Sequence, residues 1–239
     1  MNERLSTLDQ HVPDTDRPTT DPSDVTSESE AFVDQARRRF VDYSAECDAL
    51  LAKGLPRDQD PAPNRVGFGK DCVVMASTEH PDVVLKVNAG FADGARTPTG
   101  QHDETQIDVL FRSQGIPRVE QLVALNDGVR VTTRMSGARL DEFDDDHLFG
   151  QITPKHVEAL IETLRLVVDR GLTIEPEPGN VLFDPSMGFS LIDIEPNVSE
   201  QSVLEVLSSL IRVLKEEASY EGNLPGVNKL ISALQACTT

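Results

Sequence analysis

The sequence contains no tryptophan, two tyrosines and only six lysines against sixteen arginines. Aromatic residues make up 5% of the chain but hydrophobic residues 38%, so a core is available, built on aliphatic side chains. Cysteine is sparse: Cys47, Cys72 and Cys237 are widely spaced, odd in number and form no C-x-x-C pair. That argues against a disulfide framework and a cysteine zinc site, and fits a reducing cytoplasm. No apolar run approaches the roughly 18 residues that read as a membrane-spanning helix. Met1 is followed by polar residues rather than an apolar stretch, so no secretory leader is expected. Positive charge is scarce as well. With 22 basic and 41 acidic residues the net charge is -19. Such a surface repels phosphate backbones and anionic lipid, which argues against nucleic acid or a membrane as the main partner. The lysine-poor, acidic balance fits both adaptation to high salt and an ordinary acidic bacterial or archaeal protein.

A chain of 239 residues suits one domain, or one domain of two lobes plus a tail. Residues 1–28 are rich in Asp, Thr, Ser and Pro without apolar periodicity, and predict a disordered acidic tail. Phe32, Ala36, Phe40, Tyr43, Cys47 and Leu50 step by three or four and predict a helix from Ser29 to about Lys53, ended by Gly54. Residues 55–64, with three prolines, read as a linker. From Arg65 the pattern changes to short β-branched runs, Val73–Met75 and Val83–Val87, followed by a helical segment at 102–114. Gln121–Leu125 and Val129–Thr133 flank Asn126-Asp127-Gly128, a hairpin turn whose Asn and Gly tolerate positive φ. After Gly137 the character is helical. Helices are expected over His156–Arg170, 200–217 and 225–236, interrupted by a small hairpin of Val181–Phe183 and Ser190–Ile192. The fold class is therefore α+β, with two unlike halves.

Four features carry chemistry. Gly67-Phe68-Gly69 is a G-x-G turn between strands, which lets backbone N–H groups approach phosphate oxygens; a plain glycine hairpin has the same appearance. Lys86 lies inside an apolar strand between Leu85 and Val87. Buried, it needs a carboxylate or a phosphate; alternation onto a solvated face is the other reading. Glu104, near the start of the 102–114 helix, is a candidate partner, with Asp103 and Asp108 as rivals; all three also suit a helix N-terminus. Finally, Asn180 enters one strand of the small hairpin and Asp193 follows the other. An amide oxygen and a carboxylate brought together there suit Mg²⁺, although both residues are also common turn caps.

With these elements in order, residues 65 to about 215 resemble the protein-kinase-like superfamily, especially small prokaryotic members near the aminoglycoside and choline phosphotransferases and RIO-type kinases. Gly67 and Gly69 match the first two glycines of its nucleotide loop, Cys72 stands in place of the third, and Val74 matches the valine over the adenine. Lys86 matches the phosphate-contacting lysine and Glu104 its helix partner. Thr133 and Met135 fall in the segment similar to the hinge. Pro178-Gly179-Asn180-Val181-Leu182 resembles the catalytic loop, and Asp193 the metal-binding aspartate, here in Asp-Ile-Glu. The resemblance implies a bilobal fold with a β-rich N-lobe over 65–136 and a reduced helical C-lobe over 137–239, preceded by a helix and linker over 29–64. It implies ATP and Mg²⁺ as cofactors, Lys86 and Val74 on the nucleotide, and Asn180 and Asp193 on the metal.

The departures are equally specific. Five residues before Asn180 the family has a catalytic Asp; this chain has Glu175, in Thr-Ile-Glu. No Ala-Pro-Glu segment follows Asp193. Two functions are expected: an ATP/Mg-dependent phosphotransferase acting on a hydroxyl of a protein or small molecule, or a pseudokinase that keeps the fold as a nucleotide-binding or protein-interaction module. The acidic stretch Asp141–Asp146 reads as a solvated loop or as a surface for a cationic substrate. Acceptor and oligomeric state are not readable.

Overall fold

The apolar stripe of the N-terminal segment folds as two helices rather than one. A computed structural model describes residues 22–52, 55, 65–68, 72–92, 95–99, 104–142, 146–221 and 224–236. The first helix, α1, runs Pro22–Arg39; a 3-10 turn over Phe40–Asp42 follows, then α2 over Ser44–Ala52. Residues 22–28, expected in the tail, are thus helical. Pro22 suits the first turn of a helix, and the helix is anchored further along, where Phe32, Val33 and Ala36 pack against Leu110, Leu122 and Leu125. The break at Phe40–Tyr43 redirects the chain so that Phe40 and Cys47 reach a different surface from Ala36. The rest of the expected tail, and the linker beyond Leu55, lie outside the described residues.

That surface is one face of an antiparallel sheet. Its strands are β1 (Arg65–Phe68), β2 (Cys72–Ala76), β3 (Val83–Ala92), β4 (Ala95–Pro98), β5 (Leu122–Asn126) and β6 (Val129–Thr133), in the order β1-β2-β3-β6-β5, with β4 also on β3. Val73, Met75, Val83, Leu85, Val87, Ala124 and Val131 point to the helix side and form a buried cluster with Phe40 and Cys47. Because strand side chains alternate, the intervening residues Val74, Lys86, Arg130 and Thr132 face the other way. Between β4 and β5 the chain makes α3 (Glu104–Ser113).

Beyond Thr133 a short connection leads through β7 (Ala138–Arg139) to α4 (Asp146–Phe149) and α5 (Pro154–Asp169). Thr153 caps α5: its hydroxyl accepts from the His156 N–H, while His156 Nδ1 accepts from the Thr153 N–H. Then come β8 (Leu172–Ile174), a 3-10 turn at Pro178–Asn180, β9 (Val181–Asp184), β10 (Gly188–Leu191), β11 (Ile194–Pro196), α6 (Val203–Glu221) and α7 (Pro225–Gln235). β9 pairs with β10 and β7, and β8 with β11, all antiparallel. A second core of Leu160, Leu164, Phe183, Leu207, Leu210, Leu214 and Leu230 lies among these helices. The fold is mixed α+β with antiparallel sheets. Among the described residues no helix is long and apolar enough to cross a membrane.

Two positions fix how neighbouring elements join. Gly137, with φ +121, packs so tightly that a Cβ there would lie 2.6 Å from the Phe183 carbonyl group, a contact that backbone cannot relieve. On the outer side of the sheet, the buried Glu46 carboxylate of α2 accepts from Ser77 Oγ at 2.5 Å, Thr78 N at 2.6 Å and Thr78 Oγ1 at 2.9 Å, tying α2 to the β2–β3 turn. Burial pushes its pKa up, but the Ser77 and Thr78 hydrogen bonds together outweigh it and hold the group below its ordinary value. The stabilisation is therefore complete above the unfolded pKa of about 4.3 and is lost as pH falls through the lower folded value. Glu46→Gln is expected to cost about 1–2 kcal/mol at pH 7, with the gap to wild type closing near pH 3. Urea denaturation at both pH values checks this; an equal gap at each would show that the carboxylate charge contributes nothing.

Candidate functional site

Lys86 sits in the middle of β3 with Val74 of β2 on one side and Arg130 of β6 on the other; Gly67 of β1 continues the row beyond Val74. This cross-strand row faces away from the α2 side of the sheet. Its Lys86 is buried, 4% exposed, and its ammonium donates to Glu120 Oε2 at 2.8 Å and to Asp193 Oδ1 at 2.6 Å. Burial lowers the pKa of the ammonium, but the two carboxylates prevail and hold it well above the ordinary lysine value, so Lys86 stays charged.

Glu120 lies two residues before the start of β5. Its other oxygen, Oε1, accepts from Thr132 Oγ1 at 2.6 Å, and its backbone N–H donates to the Leu191 carbonyl at 3.0 Å. It thus holds lysine, sheet and β10 together. Glu120 is a buried carboxylate on Lys86. Glu104 opens α3, but its side chain lies outside the described residues, and the rival Asp108 pairs with Arg112 one turn along the helix at 2.7 Å. The sequence signal for Glu120 was weak: a glutamate between Val119 and Leu122, next to a strand, at a position that the alternation pattern does not place.

Asp193 comes from the helical half. Leu191 pairs with Val181, and the Ile192 N–H donates to the Asn180 carbonyl at 3.0 Å, which sets Asp193 beside Asn180 at the open end of the β9–β10 hairpin. Asp193 adopts φ +51, a conformation that Asp tolerates better than most residues. Its side chain is half-exposed. Burial pushes its pKa up, but Lys86 above all, then Arg130 and Arg139, hold it below the usual aspartate value.

Asn180 is buried, and its Nδ2 donates to the Glu175 carbonyl at 3.5 Å, leaving the amide oxygen as an acceptor. The amide oxygen of Asn180 and the carboxylate of Asp193 are hard donors of the kind Mg²⁺ takes, two protein ligands with the remaining positions left to phosphate and water. No group of three or more His, Cys, Asp or Glu side chains suited to a metal occurs among the described residues, so an all-protein cage is not what these residues make.

Glu175 follows β8 and is exposed. It lines a cavity of about 410 Å³ with Asp141, Glu177, Gly179, Val213 and Glu217. Lys86, Asn180 and Asp193 do not line that cavity; Gly179, the chain neighbour of Asn180, does. Asp141 is bridged to Arg139 at 2.7 Å, and residues 143–145 of the acidic stretch lie outside the described residues. Burial, then Asp141 and Glu177, raise the Glu217 pKa. Thr133 accepts from the Gln121 N–H at 3.0 Å and Met135 is half-buried in the connection that leaves β6. Gly69 lies outside the described residues. β8 itself was not anticipated: three residues are too few for a period, and only its partner Ile194–Pro196 defines it.

The sequence matches no protein-family model and no curated protein. The geometry alone therefore carries the functional reading.

Proposed function

We propose that the chain is an ATP- and Mg²⁺-dependent phosphotransferase of protein-kinase-like, two-lobed architecture that acts on a hydroxyl of a protein or small molecule. The observation that carries this reading is the Lys86–Asp193 contact, which joins a strand lysine to a carboxylate 107 positions later, next to Asn180. In this reading Gly67 and Val74 lie over the nucleotide, and Thr133 and Met135 flank it. Lys86, kept charged by Glu120, holds phosphate oxygens. Asn180 and Asp193 hold the metal, which when bound neutralises charge on the transferring phosphoryl group. Glu175, on the loop that leads into Asn180, orients the acceptor hydroxyl. The carboxylates around its cavity favour an acceptor with positive charge.

A second reading, a nucleotide-binding module without turnover, is favoured by one observation. Glu175 offers its backbone carbonyl to Asn180 and lines a cavity together with Asp141, Glu177 and Glu217. Thermal shift and phosphate release with ATP and Mg²⁺ separate the readings. The enzyme reading expects a higher Tm and phosphate transfer that falls on Glu175→Gln. A rise in Tm with no transfer by wild type leaves the binding module. No change in Tm and no transfer sinks both.

A further inference from the structure

Arg130 is the residue that neither role accounts for. It stands directly across from Lys86 on β6, in register, so both side chains leave the same face of the sheet. It is 9% exposed, and its Nε is buried with no hydrogen-bond partner. The nearby carboxylates are taken. Glu120 gives one oxygen to Lys86 and the other to Thr132, and Asp193 gives Oδ1 to Lys86. No hydrogen bond or ion pair engages the Arg130 guanidinium among the described residues, although its charge is felt at Asp193.

A buried lysine in that position can shed its proton; an arginine cannot. The cost of leaving its buried Nε without a hydrogen bond is therefore carried by the fold until an anion arrives. The planar fork of N–H donors suits phosphate oxygens, which it can take two at a time.

We propose that Arg130 and Lys86 form a two-cation site for the polyphosphate of a nucleotide, with Arg130 taking phosphate oxygens that Lys86 does not reach. This extends the nucleotide reading and rests on it for the identity of the anion. Lys86 has its carboxylates in the empty cleft and is shared between them and the ligand. Arg130 feels the charge of Asp193 but has no hydrogen-bonded carboxylate among the described residues, so its donors are available to the ligand.

The test is titration of the full chain, at fixed ionic strength, with ATP, adenosine and inorganic tripolyphosphate, comparing wild type with Arg130→Gln and Arg130→Lys. Losing a charge-assisted bond to phosphate is expected to weaken ATP and tripolyphosphate roughly ten- to hundred-fold in Arg130→Gln, with partial recovery in Arg130→Lys. Adenosine affinity stays unchanged, and the unliganded Tm does not fall, because no native ion pair is lost. A merely structural role would move the Tm and all three ligands together, and that result overturns the assignment. ATP binding that Arg130→Gln leaves unaltered also overturns it, while the nucleotide reading survives. Tripolyphosphate bound through Arg130 by a protein indifferent to ATP supports the anion site and sinks the nucleotide reading. Binding of neither anion by wild type ends both.

Discussion

Glu120→Ala is expected to lower stability by about 3 kcal/mol, near the lower end for breaking a buried ion pair, because Asp193 still faces the ammonium it leaves behind. Lys86 and Glu120 have side chains 5% and 7% exposed, so water does not take over the lost contact. Thr132 loses its acceptor in the same step. For a chain of this length the change corresponds to a fall in Tm of roughly 6–12 °C. The double variant Lys86→Met, Glu120→Gln is expected to recover much of the loss. It removes the stranded cation, keeps an acceptor for Thr132, and leaves the half-exposed Asp193 to water. Differential scanning calorimetry of the three proteins decides the matter. A single variant melting within a degree of wild type would mean that the buried pair contributes nothing to the fold.

Asp193→Asn is the second large effect, and it falls on function. Asn, like Asp, tolerates the φ of +51 at this position better than most residues with a side chain, so the backbone is retained. It also keeps an oxygen for Lys86. What disappears is the negative charge beside Asn180 that would hold the metal. Under the proposed activity, Mg²⁺-dependent phosphate transfer is expected to fall at least about 100-fold, or roughly 2.7 kcal/mol of transition-state stabilisation, with the melting curve little changed. Measured transfer within a factor of two of wild type would remove Asp193 from the metal site.

The polar residues at the centre of these predictions differ in how far the chain announces them. Lys86 is conspicuous because an ammonium inside Val-Val-Leu-Lys-Val has no cheap explanation. Asn180 and Asp193 are conspicuous because a hairpin of the right length separates them, and the register Leu191 to Val181 brings them together. Glu120 and Arg130 carry no such mark. Each is an ordinary charged residue at a strand edge or on an alternating face, and what makes it important is a neighbour 34 or 44 positions away across the sheet. The 3-10 break at Phe40–Asp42 was hidden for a related reason: the apolar stripe runs straight through it, and only the separate surfaces offered by β5 and by the sheet face make the chain turn.

Local periodicity and turn chemistry by themselves determined the α+β class and the strand-then-helix order, since those depend on neighbours within a few positions, and they singled out residues 86, 180 and 193 as candidates. Tertiary structure alone decided that β3 lies beside β6, that Glu120 closes on Lys86 and that the buried Nε of Arg130 is left without a hydrogen-bond partner. The reason is physical: whether a charge is paired depends on distances between segments far apart along the chain, and burial raises the cost of leaving it unpaired.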